Sequence, residues 1–279
     1  MPQKGGGVSN INQPSGWRKA TAGLAVAEQH AQAGERSTVP KSQAFVAVKR
    51  VGAHIGLKAG DVLLLDTLGA FTQAQDWEEG QRPIVWASNA YLMEHTGFSL
   101  SALKRHARRL AEIGVIAFKD SPNGKRWGHR DADGRIIEAY GFDLSPLSAR
   151  AEEFGQLHAE LQAERELCQR LKRQITVARR MIRARIDAAL NGALRGPWTQ
   201  LTDLFEDLLG RLPRRNTPSG VLARLLEWFR ELQERVEAAY LKAVCADEVV
   251  ENTPETSEQV LQKTQEMNPR EVISEPHIL

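Results

Sequence analysis

The sequence predicts a mainly α-helical protein with a small β-sheet, in which a winged helix-turn-helix domain precedes a long helix and a helical hairpin. Two observations support this prediction. Within residues 88–127, apolar residues recur at helical spacing on both sides of a glycine, and a strand pattern with a polar turn follows. Within residues 148–246, apolar residues keep helical or heptad spacing over much longer stretches.

Composition and spacing divide the chain into four parts. Residues 1–40 are rich in Gly, Gln, Ser and Ala, so we predict a mostly disordered segment with at most a transient helix at residues 16–33. Residues 41–147 are expected to form the winged-helix DNA-binding domain, and residues 148–246 a helical region with a long heptad-like helix. Acidic residues dominate residues 247–279, which predicts an acidic disordered tail or linker.

Two helices and a short strand are expected before the DNA-binding motif. Residues 41–56 place apolar side chains on one face, and residues 59–71 do so more strongly. The apolar residues of the second helix are Val62, Leu63, Leu65, Leu68 and Phe71. Residues 84–86 predict a short strand that joins the sheet of the same domain.

The motif itself predicts two helices joined by a tight turn. Residues 89–96 form the first helix in this interpretation, and Gly97 supplies a turn that favours a left-handed backbone. Ser99 is a good N-cap for the second helix, which is expected to run to about Glu112.

The second helix has an apolar stripe and a polar, mostly basic face. The stripe consists of Leu100, Leu103, Ala107 and Leu110, and the other face carries Ser101, Lys104, Arg105, Arg108 and Arg109. The major groove of DNA admits one α-helix, from which Lys and Arg side chains reach base edges. This helix is therefore the predicted recognition helix.

A strand and a basic hairpin tip are expected to follow as the wing. Gly114 ends the helix, residues 115–119 predict a strand, and the sequence at residues 120–124, DSPNG, is typical of a hairpin turn. Lys125 and Arg126 would open the return strand, and they would either neutralise phosphates beside the groove or enter the minor groove. Residues 131–134 predict a further turn and residues 136–142 a further strand.

The candidate DNA-binding residues lie in the two motif helices and the wing. They are Asn89, Ser99, Ser101, Lys104, Arg105, His106, Arg108, Arg109, Asn123, Lys125, Arg126 and Trp127. The net charge of the whole chain is only +2, but residues 99–130 hold eight Lys or Arg against two acidic residues. A basic helix alone would suit a solvated surface; the basic helix, turn and basic wing in this order favour DNA binding. His106 lies beside the basic face and is expected to be a surface residue or a phosphate contact rather than a catalyst.

The second half of the sequence predicts one long helix and two shorter ones. Ser145 is a plausible N-cap with Pro146 at the first helical position, and the helix is expected to reach about Leu190. Residues spaced by seven are Phe154, Leu161, Cys168, Ile175, Ile182 and Ala189. Such a pattern fits packing on the helix's own domain or on the following helices, at residues 198–209 and 221–244. It fits equally a coiled coil that makes a homo-oligomer. The spacing leaves both alternatives open.

No motif in the sequence indicates catalysis, a metal or a cofactor. The Gly124-Lys125 pair is not a phosphate-binding loop, because position 119 is Lys and position 126 is Arg. The two cysteines, Cys168 and Cys245, stand alone and predict neither a zinc site nor a disulfide. Because the sequence has no catalytic motif, we expect that the protein is not an enzyme. With no apolar run long enough for a bilayer and no apolar signal peptide at the N-terminus, we expect it to be cytoplasmic.

Several stretches resemble the RepC-type replication initiators of the repABC plasmids of alphaproteobacteria. They are DSPNGKR at residues 120–126, AYGFDLSPL at residues 139–147, LKRH at residues 103–106, LAEIGVI at residues 110–116 and ARAEEF at residues 149–154. The resemblance is close over residues 88–154 and looser from residue 42 to 86 and onward to about residue 244.

The resemblance implies an initiator that binds double-stranded DNA at the AT-rich origin of its own plasmid and works with host replication machinery. It places Lys104, Arg105, Arg108 and Arg109 in the recognition helix, and Asn123, Lys125 and Arg126 in the wing. Family members usually continue past an acidic linker into a second helical domain, whereas this sequence ends at Leu279. A naturally short relative, a fragment and a frameshifted product are all consistent with that end.

Two other functions fit the same sequence features. A winged-helix transcriptional regulator would bind DNA without promoting replication. An assembly protein built on the long helix would leave the basic face without a role.

Overall fold

The structure is a computed structural model that describes residues 20–251 apart from positions 214 and 216. The predictions of disorder for residues 1–19 and 252–279 lie outside the described residues. The predicted fold class, mainly helical with a small antiparallel sheet, is confirmed. Two compact units divide the chain, Met1–Ala163 and Glu164–Leu279.

The first unit combines short helices with a four-stranded sheet. Its elements are α1 (Ala22–Gly34), α2 (Lys41–Val51), α3 (Ala59–Ala70), a 3-10 turn (Ala74–Trp77), β1 (Ile84–Val85), α4 (Asn89–Thr96), α5 (Leu100–Glu112), β2 (Ala117–Lys119), β3 (Trp127–Arg130), β4 (Ile136–Asp143), α6 (Ser145–Ala149) and the start of α7 (Ala151–Asn191). One hydrophobic core joins α2, α3, α5, the sheet and the first turns of α7.

The two motif helices have the bounds that the sequence predicts. The Ser88 hydroxyl accepts a hydrogen bond from the Tyr91 N–H at 3.1 Å, and the Ser99 hydroxyl accepts one from the Ala102 N–H at 3.3 Å. Gly97 between them has a φ of 69°, a left-handed conformation that glycine adopts without strain. Local capping and one glycine therefore define the start of both helices and the turn that joins them.

The apolar stripe of α5 begins one turn later than predicted. Leu103, Ala107 and Leu110 are buried, but Leu100 is exposed at the first position of the helix. Ala111 is buried instead, so the C-terminal half of the helix lies deeper in the core than its first turn does.

The sheet is centred on β4 and corrects the predicted wing hairpin. Strands β1, β2 and β3 each pair antiparallel with β4, and the register joins Phe118 to Phe142 and Trp127 to Tyr140. Among the described strands, β2 does not pair with β3. The loop between them closes on itself instead, since the Ser121 hydroxyl donates to the Lys125 carbonyl at 2.6 Å.

The hairpin that does form joins β3 to β4 through the predicted turn at residues 131–134. The Asp131 carboxylate accepts hydrogen bonds from the N–H groups of Asp133 at 3.0 Å and Arg135 at 2.8 Å. Gly134 has a φ of 79°. The turn chemistry at residues 131–134 is therefore that of a tight hairpin.

The structure also corrects the prediction of disorder for residues 20–40. Helix α1 is capped by the Thr21 hydroxyl, which accepts from the Leu24 N–H at 3.3 Å, and it buries Ala27, Ala31 and Gly34. It packs against α6, α5 and β2. The small residues gave a weak hydrophobic signal in the sequence, yet they allow α1 to approach its neighbours closely. At the other end of the chain, α9 (Ser219–Glu251) runs into the predicted acidic tail, because no glycine or proline interrupts it before Pro254.

The long helix of the sequence is divided near its start. Helix α6 has Leu144 as its N-cap, with Ser145 inside the helix, and Arg150 separates α6 from α7 with φ −101° and ψ 4°. The Arg150 guanidinium donates to the carbonyls of Ile113 at 2.7 Å and Gly114 at 3.0 Å, at the C-terminal end of α5. Phe154 is fully buried in the first core, so this unit extends past residue 147, where the sequence predicted the domain to end.

The second unit is a helical assembly of the rest of α7, α8 (Trp198–Gly210) and α9. Its core contains Leu171, Ile175, Ala178, Ile182, Ile186 and Ala189 of α7, together with apolar residues of α8 and α9. The heptad residues of this part of α7 thus pack on the following helices of the same chain. No helix in the described part of the chain is long and apolar enough to cross a bilayer.

The docking of α1 can be tested at Gly34. A methyl group on Gly34 would overlap the Ser145 carbonyl of α6, so Gly34→Ala should lower the free energy of unfolding by about 1–3 kcal/mol. Urea denaturation of the full chain measures this change.

Gly155 provides the matched control, because an added methyl group there meets no atom within 4 Å. Gly155→Ala lies inside α7 and should raise stability by about 0.5–1 kcal/mol. Equal stability of Gly34→Ala and the unmodified chain would mean that α1 does not dock as described.

Candidate nucleic-acid interface

A groove of 1050 Å³ lies between α5 and the loop that joins β2 to β3. We refer to it as the basic groove. Its basic lining residues are Lys104, Arg105, Arg108, Arg109, Lys125 and Arg126. Phe118 and Phe142 of the sheet also line it, and Glu112 is its acidic residue. The groove thus brings together the two segments that the sequence placed in a recognition helix and a wing.

Lys104 and Arg105 are the most available cations of α5. Both residues are exposed, and within residues 20–251 as described neither side chain takes part in a hydrogen bond or ion pair. Lys125 across the groove is likewise exposed. Such side chains can approach an anionic ligand without first breaking an internal contact.

Arg108 is partly engaged on the helix surface. Its Nε atom lies 2.9 Å from a carboxylate oxygen of Glu112, one turn along α5, and both side chains are about half exposed. An exposed ion pair at this spacing contributes about 0.3–0.5 kcal/mol, so a phosphate could replace Glu112 at little cost.

His106 and Arg109 lie differently from the prediction, because both contact Asp61 of α3. His106 Nδ1 is 2.7 Å from Asp61 Oδ1, and Arg109 Nη1 is 3.1 Å from Asp61 Oδ2. The His106 ring stacks on Phe98 at 4.7 Å, and only 12% of its side chain is exposed. His106 is therefore not the surface residue that the sequence predicted.

Asp61 is the functional residue that the sequence analysis missed. It is fully buried, and it also accepts a hydrogen bond from the Lys58 N–H at 2.8 Å, in the manner of a capping box. Burial by itself would raise the pKa of Asp61, but the hydrogen bonds from His106, Lys58 and Arg109 outweigh it and hold the pKa below its ordinary value. An acidic residue early in an otherwise apolar helix was the available signal in the sequence.

Asn89 and Arg126 connect the first motif helix to the loop. Arg126 Nη2 donates to Asn89 Oδ1 at 2.6 Å, and its guanidinium lies 4.5 Å from the centre of the Phe142 ring. These contacts hold the end of the loop next to the start of α4. Asn89 therefore positions Arg126 in the wall of the groove.

The remaining predicted site residues have local roles in the structure. Ser99 caps α5, and its hydroxyl lies 3.1 Å from that of Ser101 at the exposed start of the helix. The Asn123 side chain accepts hydrogen bonds from the Ser121 hydroxyl at 2.8 Å and the Lys125 N–H at 3.1 Å, and so shapes the loop. Trp127 packs against Tyr140 at 5.1 Å.

The described residues contain no group of three or more His, Cys, Asp or Glu side chains that could hold a metal ion. The basic groove, lined by Lys and Arg side chains and by Phe118 and Phe142, offers recognition of anions and of apolar or aromatic surface. A polyanion with exposed base edges, such as DNA, has both properties.

Comparison with known proteins points to one family. The model of the replication protein C N-terminal domain matches residues 18–190, more than half of the chain. A curated protein from Rhizobium rhizogenes that carries the replication protein C name is 33% identical over 232 residues, which are 82% of this chain and 57% of that protein. Another curated protein of that name, from Sinorhizobium fredii, is 31% identical over 229 residues, which are 81% of this chain and 56% of that protein.

The chain spans a little over half the length of these curated relatives. No solved structure gives a significant match to it.

The contacts of Asp61 predict a large effect on stability. Asp61→Asn leaves Arg109 and His106 without their carboxylate, and we expect the free energy of unfolding at pH 7 to fall by about 3 kcal/mol. Asp66→Asn on the same helix is the control, because Asp66 pairs with Lys49 at the surface. That change should alter stability by less than about 1 kcal/mol. Similar losses in the two variants would contradict the role given to Asp61.

The lowered pKa of Asp61 also predicts a pH dependence. Its carboxylate stabilises the folded state above the ordinary pKa of about 4, and this contribution is lost as the pH falls through the lower folded-state pKa. Denaturation midpoints between about pH 6 and pH 2.5 should therefore fall less steeply in Asp61→Asn than in the unmodified chain. Parallel curves would show that Asp61 does not contribute to acid sensitivity.

Proposed function

The chain belongs to the replication protein C family, and from this premise we propose that it is a plasmid replication initiator that binds its plasmid's origin. The observation that carries the proposal is the basic groove. Lys104 and Arg105 on α5 and Lys125 on the facing loop are exposed cations on its two sides. A duplex presents base edges beside two lines of phosphates, which is the arrangement that such a groove complements.

In this proposal α4 and α5 act as a helix-turn-helix, with α5 in the major groove. Lys104 and Arg105 would contact base edges, and Arg108 would exchange Glu112 for a phosphate. Ser99 and Ser101 stand at the N-terminus of α5, where backbone N–H groups favour a phosphate.

The loop between β2 and β3 would act as the wing, although its two flanking strands pair with β4 rather than with each other. Lys125 would neutralise a phosphate beside the groove. Asn123 would shape the loop through its hydrogen bonds to Ser121 and Lys125. Asn89 and Trp127 would hold the C-terminal end of the loop, and Arg126 would form the groove wall. His106 and Arg109 would set the angle of α5 through Asp61 rather than contact bases.

Origin opening would follow from binding to an AT-rich site. Bending a short duplex costs about 1–6 kcal/mol, and flexible steps lower that cost. The opened region would then be the substrate of the host replication machinery.

Self-association through the long helix belongs to the same proposal. In the second unit Val177 and Met181 of α7 are exposed one turn apart. This apolar surface supports contact with a second copy.

The central test removes the two exposed cations of α5. Lys104→Ala with Arg105→Ala should weaken binding to origin duplex by about tenfold or more, because each lost base contact costs about 1–3 kcal/mol. Fluorescence anisotropy with origin DNA and an equally AT-rich random duplex measures both affinity and preference.

Arg36→Ala with Arg50→Ala is the control, because it removes the same charge from exposed positions outside the groove. Equal losses of DNA affinity in the two double variants would mean that binding depends only on the net charge of the protein. Permanganate reactivity of the origin then separates an initiator from a regulator, since a regulator would bind without unpairing thymines.

A separate prediction concerns the loop. Lys125→Ala should weaken binding to origin and random duplex alike and reduce the salt dependence of log affinity by about one unit. The Lys104 and Arg105 changes should instead reduce the preference for the origin. If both sets of variants behave alike on matched and random DNA, the division between recognition helix and wing is wrong.

A further inference from the structure

Four aromatic side chains form a row on one face of the sheet. Phe118 of β2 lies opposite Phe142 of β4, and Trp127 of β3 lies opposite Tyr140 of β4. Side chains two apart on a strand point to the same face, so Phe142 and Tyr140 connect the two pairs. The ring centres are 5.7 Å apart in the first pair and 5.1 Å in the second. We call these four residues the aromatic strip.

The strip runs from the basic groove outward toward solvent. Phe142 is 3% exposed and lines the groove together with Phe118. Trp127 and Tyr140 are only partly buried, and neither belongs to a hydrophobic core cluster of the described residues. Packing of the domain core therefore accounts for the inner pair but not for the outer one.

Cations alternate with the rings of the strip. The Lys119 ammonium lies 5.4 Å from the centre of the Tyr140 ring, and the Arg126 guanidinium lies 4.5 Å from that of Phe142. Lys125 is exposed one residue before Arg126. One acidic group is present, since the Tyr140 hydroxyl donates to the Glu138 carboxylate at 2.9 Å, which fixes the ring orientation.

Rings and cations in alternation suit a nucleic acid whose bases are unpaired. A duplex keeps its base faces stacked and presents only base edges, whereas a separated strand presents base faces and phosphates together. Aromatic rings bind the faces by stacking, and basic side chains follow the phosphates. A surface that binds only duplex DNA would gain little affinity from the outer aromatic pair, Trp127 and Tyr140.

We propose that the aromatic strip is a binding site for single-stranded DNA. Bases stack on Trp127 and Tyr140, and the strand's phosphates lie against Lys119, Lys125 and Arg126. The inference rests on the proposed function, because origin opening would produce this strand beside the duplex held in the basic groove. Capture of one strand would favour the open state by mass action.

The test compares Trp127→Leu and Tyr140→Leu with the unmodified full chain. The probes are a fluorescein-labelled oligothymidine of about 15 nucleotides and an AT-rich duplex, both measured by anisotropy. Each variant should bind the oligothymidine roughly tenfold or more weakly, since loss of one stacked base weakens binding by about that factor. Binding of Tyr140→Leu to the duplex should stay within about twofold, because Tyr140 does not line the basic groove that holds the duplex.

Two further variants make the comparison specific. Trp228→Leu is the matched control, because Trp228 is 37% exposed, with the Arg211 guanidinium 5.4 Å from the centre of its ring, but lies on α9 in the second unit. It should leave binding of both probes unchanged. Trp127→Phe keeps a stacking ring, and it should retain most of the oligothymidine binding that Trp127→Leu loses.

The outcomes separate this inference from the proposed function. Loss of oligothymidine binding with intact duplex binding supports the strip, and quenching of tryptophan fluorescence that disappears in Trp127→Phe supports it independently. Duplex binding without any oligothymidine binding by the unmodified chain overturns the inference and leaves the proposed function standing. A parallel loss of binding to both probes in Tyr140→Leu, at an unchanged melting temperature, also overturns it. Failure of the unmodified chain to bind either probe would instead remove the proposed function.

Discussion

The buried carboxylate of Asp61 determines how α5 lies on the first unit. It accepts a hydrogen bond from the start of its own helix, and it contacts His106 and Arg109 of α5. A buried carboxylate without such contacts would be strongly unfavourable, so these contacts favour one register of α3 against α5. The rotation of α5 that this requires leaves Lys104 and Arg105 on the open side of the basic groove.

The same arrangement recurs twice around the sheet. Asp76 accepts a hydrogen bond from the Gln73 N–H and contacts Arg130 of β3, and Asp143 accepts one from the Ser145 N–H and contacts Arg82. Each carboxylate thus joins a local turn to a residue far away in the sequence. Because a buried ion pair adds little net stability over apolar packing, these contacts act mainly on geometry. They orient the groove, the sheet and the aromatic strip relative to one another.

The groove and the strip share one wall, which links the two proposals physically. Arg126 contacts Asn89 of α4 and lies over Phe142 at the inner end of the strip. A duplex in the groove and a separated strand on the strip would therefore be close neighbours. Such proximity would let the aromatic strip bind the strand that distortion of the duplex exposes, before the duplex closes again.

The sequence by itself determined the two motif helices, their turn and the basic character of the site. Ser88, Gly97 and Ser99 define the motif through hydrogen bonds within a few residues and one left-handed glycine, and such local effects can be derived from spacing. The tertiary structure decided which basic residues are available, since His106 and Arg109 turn toward a carboxylate 45 and 48 positions earlier. It also decided that β2 and β3 pair with β4, and that the small residues of α1 pack instead of remaining disordered. These outcomes depend on contacts between distant segments, whose pairing no local pattern of charge or hydrophobicity specifies.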